Sequence, residues 1–293
     1  MFILCVSSAQ AQRATVGVSS SLDDPISGDH AESIEANPAG LGFGDDLQLS
    51  YAFTHSGRKA AGDGHALFTS FGFLGAYRSG LGLQMLAAAR TGSQWPMKLS
   101  WAHALRLSPR LSVGFAWHRL QGEGLAELDG LETFDLGFQY RLGKWLTLAG
   151  TSKDFTQPTV IGEDNGITRS IDRSWLGGVS LRPGTESLTL SAYGEWTEQE
   201  EDVALGARLR WWFLDGLGLV ARYERHRVAD QDAHRLMIGL ADSGQLDAGF
   251  LYYGSDLGTR GENAGFSMTA RVRSKKAPFS TVLNRPVIVE VPI

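Results

Sequence analysis

The chain has 293 residues, a net charge of −5, one cysteine, 36 glycines and a hydrophobic fraction of 43%. No apolar run approaches the roughly 18 residues of a membrane-crossing helix, which excludes a helical membrane protein. Lys and Arg form no block, so the chain lacks the electrostatic footprint of a nucleic-acid binder.

Residues 1–11 join a short apolar run to Ala9-Gln10-Ala11, the small-x-small pattern of a secretory cleavage site, and read as a truncated signal peptide. The basic start of such a peptide is missing: either the true start lies upstream of Met1, or the segment is not a signal. Cleavage after Ala11 removes Cys5 and leaves a chain without thiol or disulfide. No small residue stands before Cys5 as a lipidation site requires, which disfavours a lipoprotein.

Residues 12–45 show no strand alternation. Asp29 is placed to cap a short helix running through Glu35, and Pro38 forces Asn37 out of helical geometry. Gly40, Gly42 and Gly44 then allow the chain to bend tightly.

From residue 46 to 274 the dominant period is two. Leu47, Leu49, Tyr51 and Phe53 alternate with Gln48, Ser50, Ala52 and Thr54; Leu111, Val113, Phe115 and Trp117 repeat the pattern, as do Phe134 to Arg141, Val203 to Phe213 and Phe266 to Arg273. Extending the count to less regular segments predicts about fourteen strands of about ten residues, long enough to cross a bilayer at a tilt. They centre on Tyr51, Ser70, Met85, Trp101, Phe115, Phe138, Leu148, Gly178, Ala192, Arg208, Ala221, Ile238, Phe250 and Met268.

Short links (Gly75 to Ser79, Ser108-Pro109, Gly143-Lys144, Pro183-Gly184, Asp215-Gly216, Asp242 to Gly244) interleave with longer polar ones. The longer set is Ser56 to Gly64, Gln121 to Gly130, Asp154 to Arg169, Thr197 to Glu201, His226 to Gln231 and Gly254 to Asn263; only the link near Thr91 to Gln94 reads as short out of turn. Tight turns on one rim and longer loops on the other suit strands that run up and down through a membrane. With an even strand number both chain ends are expected on the short-turn rim, the periplasmic side of a bacterial outer membrane.

Bulk decides which face is which. One face carries Tyr51, Phe53, Trp101, Phe115, Trp117, Phe138, Tyr140, Trp211 and Phe213; the other mixes Gly, Ala and Ser with Asp135, Arg141, Glu195, Arg208, Arg210, Arg222, Glu224, Arg235, Asp247, Arg271 and Arg273. Large apolar groups suit lipid, and small and ion-paired ones suit an enclosed lumen. Trp95, Trp145, Trp175, Trp196 and Tyr223 are candidates for interfacial girdles. The expected fold is therefore all-β: an up-and-down antiparallel transmembrane barrel with a short N-terminal plug. Fourteen strands enclose more space than wall side chains can fill, and residues 12–45 are the segment available to occupy it.

An N-terminal segment ending in Asn37-Pro38-Ala39-Gly40-Leu41, followed by such a barrel, resembles the FadL/PorV-type outer-membrane proteins. The resemblance runs nearly to Arg273 and rests on one short motif. It implies a fourteen-stranded barrel, a lumen plug or hatch carrying Asn37, Pro38, Ala39, Gly40 and Leu41, and carriage of small hydrophobic molecules such as long-chain fatty acids. The longer loops here are brief and polar, unlike the extended insertions that build a capture groove in the fatty-acid transporters.

The lumen arginines Arg208, Arg210, Arg222 and Arg235 are candidates to hold the carboxylate of such a ligand. The seven histidines show no metal-ligand spacing, Asp164-Asn165-Gly166 is only a fragment of a calcium loop, and no nucleophile elbow, phosphate loop or zinc helix occurs. Neither catalysis nor a metal or other cofactor is expected. Expected partners are outer-membrane lipid, a hydrophobic ligand and, through residues 275–293, a periplasmic protein. That tail ends in an apolar run, Val287 to Ile293, which reads as an opening strand of something else. The alternatives are a non-transporting barrel that anchors or scaffolds a partner, or the membrane domain of a longer polypeptide such as one fused to a signal-peptide-peptidase-like protease.

Overall fold

The computed structural model describes residues 15–18, 24–45, 47–56, 63–73, 75–87, 96–122, 129–161, 168–183, 187–198, 203–214, 217–228, 231–242, 246–254 and 263–273. The signal segment, Trp95, the calcium-loop fragment, the tail 275–293 and the side chains of Asp247 and Arg273 lie outside what is described.

Period-two patterning becomes strands throughout. They are β1 (Leu47–Ser56), β2 (Gly64–Phe73), β3 (Tyr77–Leu86), β4 (Met97–Arg106), β5 (Leu111–Gln121), β6 (Glu132–Leu142) and β7 (Leu146–Lys153), then β8 (Thr159–Ile161) and β9 (Thr168–Ser170). The chain continues through β10 (Ser174–Leu181), β11 (Leu188–Thr197), β12 (Val203–Leu214), β13 (Leu217–Val228), β14 (Gln231–Asp242), β15 (Leu246–Gly254) and β16 (Asn263–Arg273). Fourteen of these form one antiparallel up-and-down sheet, and β1 pairs with β2 on one side and β16 on the other, so the sheet closes into a barrel.

The links depart from expectation in three places. Between β3 and β4 the chain runs from Ala87 to Pro96, so that connection is long, as the alternation of rims requires; between β13 and β14 only residues 229–230 separate the strands, because the alternation continues past His226. The link after β7 is not plain loop: β8 and β9 pair as a separate two-stranded sheet.

Inside and outside follow strand parity. Trp101 is 49% exposed and its neighbour Ala102 is 0% exposed. Leu205, Trp211 and Phe213 face out on β12 while Arg208 is buried between them, and the same alternation buries Ser112, Ala116 and His118 on β5. Trp145 stands at the short-turn rim and the register partners Trp175 and Trp196 at the long-loop rim, where girdles belong. Tyr223 does not join them: it lies mid-strand on the outer face and hydrogen-bonds His234 Nδ1 at 2.8 Å, which covers a polar atom in an apolar setting.

Residues 24–45 fill one side of the lumen with helix α1 (Ser33–Ala36) and a 3-10 helix (Pro38–Phe43). Asp29 caps neither: the position before α1 is Glu32, without a side-chain cap, and the Asp29 carboxylate is turned to Arg141 and His30. Asn37 does leave the helix, in extended geometry, and its side chain caps the 3-10 turn by accepting from Ala39 N at 3.1 Å, with Pro38 at the first helical position.

Candidate functional site: the plug and its cationic wall

The seat of the plug is a notch of two glycines. Gly114 on β5 and Gly137 on β6 are register partners on the inner face. A Cβ on Gly114 would meet the Pro38 carbonyl and Ala39 N, and a Cβ on Gly137 would meet Asn37 Oδ1. Only glycine at both positions lets the plug backbone lie against the sheet. Asn37 Nδ2 then donates to Phe138 O on the wall at 3.1 Å and to Pro25 O within the plug at 3.2 Å. The Asn-Pro-Ala stretch is thus both the internal clasp of the plug and its docking point.

Around the notch an apolar contact forms in an otherwise polar lumen. Ile34 and Leu41 pack against Ala52, Ala66, Phe68, Ala102, Ala104, Ala116 and Leu120, all buried. Each large aliphatic side chain removed from water here stabilises docking by about 1.5–3 kcal/mol. Phe43 is buried under the Arg141 guanidinium, 3.9 Å from its ring centroid.

Charge fixes the register of the plug. Its carboxylates Asp24, Asp29, Glu32 and Glu35 each meet a different wall cation. Asp24 faces Arg208 of β12 at 3.5 Å, Asp29 faces Arg141 of β6 at 3.3 Å, Glu32 faces Arg271 of β16 at 2.7 Å, and Glu35 faces Lys98 of β4 at 2.5 Å. Burial alone would raise the Asp24 carboxyl, but Arg208 and the hydrogen bonds from Ser27 and the Ile26 and Ser27 amides outweigh it and hold the group below its ordinary value. Burial likewise works against the Glu35 carboxylate, and Lys98, His118 and Ser100 together overcome it and hold the group at about 2.

Glu35 heads a buried chain of polar groups. It accepts from Ser100 Oγ at 2.6 Å and Gln84 Nε2 at 2.7 Å. His118 lies 2.8 Å from Ser100 Oγ through Nδ1 and 3.2 Å from Asp135 Oδ2 through Nε2. Asp135 accepts from the Asp154 amide, and Asp154 accepts from Thr15 Oγ1 at 2.7 Å. Ser100, His118 and Asp135 stand in series like an acyl-transfer triad, but Ser100 donates its proton to Glu35, so the series joins plug to wall and leaves no activated nucleophile. His103, on the adjacent strand, points out to Tyr77 instead.

Thr15 sits at the long-loop end, held also by Lys98 Nζ on its carbonyl at 2.9 Å, whereas Asp45 O accepts from Arg78 at 2.5 Å at the short-turn end. The N-terminal segment therefore spans the lumen from rim to rim. Both chain termini, expected on the short-turn rim, lie outside the described residues.

The four candidate arginines share one patch. Arg208 and Arg222 are register partners, Arg210 is opposite Val220, and Arg235 is opposite Glu224. Their roles differ. Arg208 belongs to the plug through Asp24. Arg222 and Arg235 both reach Glu224, at 2.6 and 3.4 Å, and Tyr193 OH donates to the same carboxylate at 2.6 Å. Arg210 has buried Nε and Nη2 atoms with no hydrogen-bond partner among the described residues. Arg182, just past β10, is pushed down to about 9 by burial, with Arg141 and Arg210 adding repulsion against the pull of Asp29. An apolar spot of Trp212, Val220, Met237 and Ala241 adjoins Arg210 on the same inner wall; sequence reasoning missed it, although Trp212 has the parity of Arg210 rather than of Trp211. Among the described residues no group of His, Cys, Asp and Glu is arranged to hold a metal.

No family model and no curated protein matches the sequence. Solved structures do match in fold. The toluene transporter TodX of Pseudomonas putida aligns with a TM-score of 0.54 at 11% identity, over 87% of this chain and 97% of its own. The Ralstonia pickettii toluene transporter TbuX aligns with a TM-score of 0.50 at 11% identity, over 88% of this chain and 97% of its own. The chain therefore has the fold of the FadL-like barrels.

Proposed function

We propose that this protein is a passive outer-membrane conduit or carrier for small hydrophobic molecules, long-chain fatty acids among them, with residues 24–45 as its gate. The observation that carries the reading is the plug seated on the Gly114–Gly137 notch and ion-paired to four strands, inside a barrel whose large apolar side chains all but ring its exterior. A ring of exposed Leu, Trp and Phe is stable against acyl chains and not against water. The short-turn rim is the periplasmic one on this reading. That the structures sharing the fold are described as toluene transporters supports a small apolar cargo.

An amphiphile fits the inner wall of β12 to β14. A carboxylate beside Arg210 finds the guanidinium atoms that lack hydrogen-bond partners among the described residues, and its apolar body then lies along Trp212, Val220 and Met237. Proteoliposome uptake of a labelled long-chain fatty acid tests the proposal, with the intact protein compared with Gly137→Val. Uptake above protein-free vesicles, faster in the variant, is the expected result; no uptake by either form makes the barrel an anchor or scaffold.

A further inference from the structure

We infer that the lumen, when the plug shifts, passes small anions in preference to cations, because the plug carboxylates are the tethered counter-ions of a cationic wall. The inference rests on residues 24–45 acting as a movable plug, and it adds the charge class of the solutes that cross the lumen once the plug has moved.

Residues 24–45 contain Asp24, Asp29, Glu32, Glu35 and Asp45 and no Lys or Arg. The wall is biased the other way. Among the described side chains, the inner faces of β12, β13, β14 and β16 carry Arg208, Arg210, Arg222, Arg235 and Arg271 against one carboxylate, Glu224. Two of these arginines are matched by the plug itself, Arg208 by Asp24 and Arg271 by Glu32. Opposite them, Arg141 and Lys98 are matched by Asp29 and Glu35. Four of the wall cations are therefore balanced with charge borrowed from a segment that is joined to the wall only by non-covalent contacts and by the chain at residue 46.

Withdrawing the plug removes its carboxylates and leaves the guanidinium groups fixed on strands. Arginine is always protonated at neutral pH and cannot shed this charge. A passage bounded by low-dielectric walls and lined by one sign of charge concentrates the opposite sign, and rings of Arg or Lys select anions in pores. Chloride, benzoate and the ionised head groups of carboxylate amphiphiles are admitted on this basis, and potassium is repelled. The same field explains why the resting plug is acidic: a neutral segment would leave buried guanidinium groups uncompensated.

Planar-bilayer recordings on the full chain test this. Two substitutions loosen the plug by different means, Gly137→Val by filling its seat and Glu35→Gln by removing one ion pair, so a folding failure of one leaves the other. In a KCl gradient the openings of either variant should show a reversal potential of the sign for chloride selectivity, with a preference on the order of tenfold. A potassium benzoate gradient should give the same sign. Adding Arg208→Glu and Arg222→Glu should move the reversal potential towards zero or past it. Openings without preference, or with potassium preference, overturn the anion inference and leave the gate standing. Absence of openings from both loosened variants overturns the gate itself, and this inference with it.

Discussion

The inner faces of β4 to β6 and of β12 to β14 are written in the same alternating code, yet they do opposite things. On β4 to β6 the inward positions are small or singly charged: Ser100, Ala102 and Ala104, then Ser112, Gly114 and Ala116, then Asp135, Gly137 and Arg141. They leave a shelf for a segment from elsewhere in the chain. On β12 to β14 the inward positions include long charged side chains: Arg222 and Arg235 gather with Tyr193 around Glu224, Arg208 meets Asp24, and Arg210 stands beside an apolar spot with buried nitrogens that have no hydrogen-bond partner among the described residues. One side of the lumen is shaped by what it must receive, the other by its own charges. A barrel wall can thus be half receptor and half lining without any change in strand pattern.

That contrast can be broken most strongly on the receiving side. Glu35→Gln leaves Lys98 without its carboxylate partner, and losing one partner of a buried pair costs about 3–5 kcal/mol. Hydrogen exchange of residues 24–45 in the variant should rise towards that of an undocked segment, while the strands keep their protection. Gly137→Val overpacks the Asn37 seat and should weaken docking by about 1–3 kcal/mol in the same measurement.

Acid should act through the same carboxylate. An unperturbed glutamate titrates near 4.5 and docked Glu35 near 2, so the docked state prefers the ionised form. Its contribution is complete above pH 4.5 and is lost as pH falls from there through about 2. Plug exchange measured from pH 7 down to pH 2 should accelerate across that window, and Glu35→Gln should flatten the response.

On the lining side, Arg235→Met leaves Glu224 paired with Arg222 and Tyr193, so plug exchange should stay at its original rate while the reversal potential moves. The smallest effect belongs outside: Arg119 meets Glu132 at 3.4 Å with both side chains partly exposed, and Arg119→Ala should change thermal stability by less than about 1 kcal/mol.

Much of the fold is legible in the sequence because lipid and lumen impose a strict period. All fourteen anticipated strand centres, from Tyr51 in β1 to Met268 in β16, fall within barrel strands, and Trp101, Phe138 and Trp211 face out as their bulk requires. The bulk rule fails at Phe68 and Tyr193, which point inward. In both cases the register partner on the next strand is a glycine, Gly82 or Gly206, and the ring lies flat over it. A glycine opposite an inward aromatic is thus a readable signal, but only once register is known.

The site was less legible. The Asn-Pro-Ala-Gly turn could be found from its own residues, but its seat is made by Gly114 and Gly137, which look like any other small inward residues until paired. The ion pairs join positions as distant as Glu32 and Arg271, a match that no local pattern carries. Candidate arginines were identified by charge alone, and charge cannot separate Arg208, which holds the plug, from Arg210, whose buried nitrogens lack partners among the described residues.

The placement open to the most direct test is that of β4, with its odd-numbered residues towards lipid and its even-numbered residues towards a plugged lumen. Nitroxides placed singly from Lys98 to Leu105 in liposomes test it by their collision rates with oxygen, which partitions into lipid, and with a water-soluble quencher. High oxygen contact is expected at positions 99, 101, 103 and 105, and low contact with both agents at 98, 100, 102 and 104. Water-quencher contact at the odd positions, or the same response along the whole strand, would contradict it.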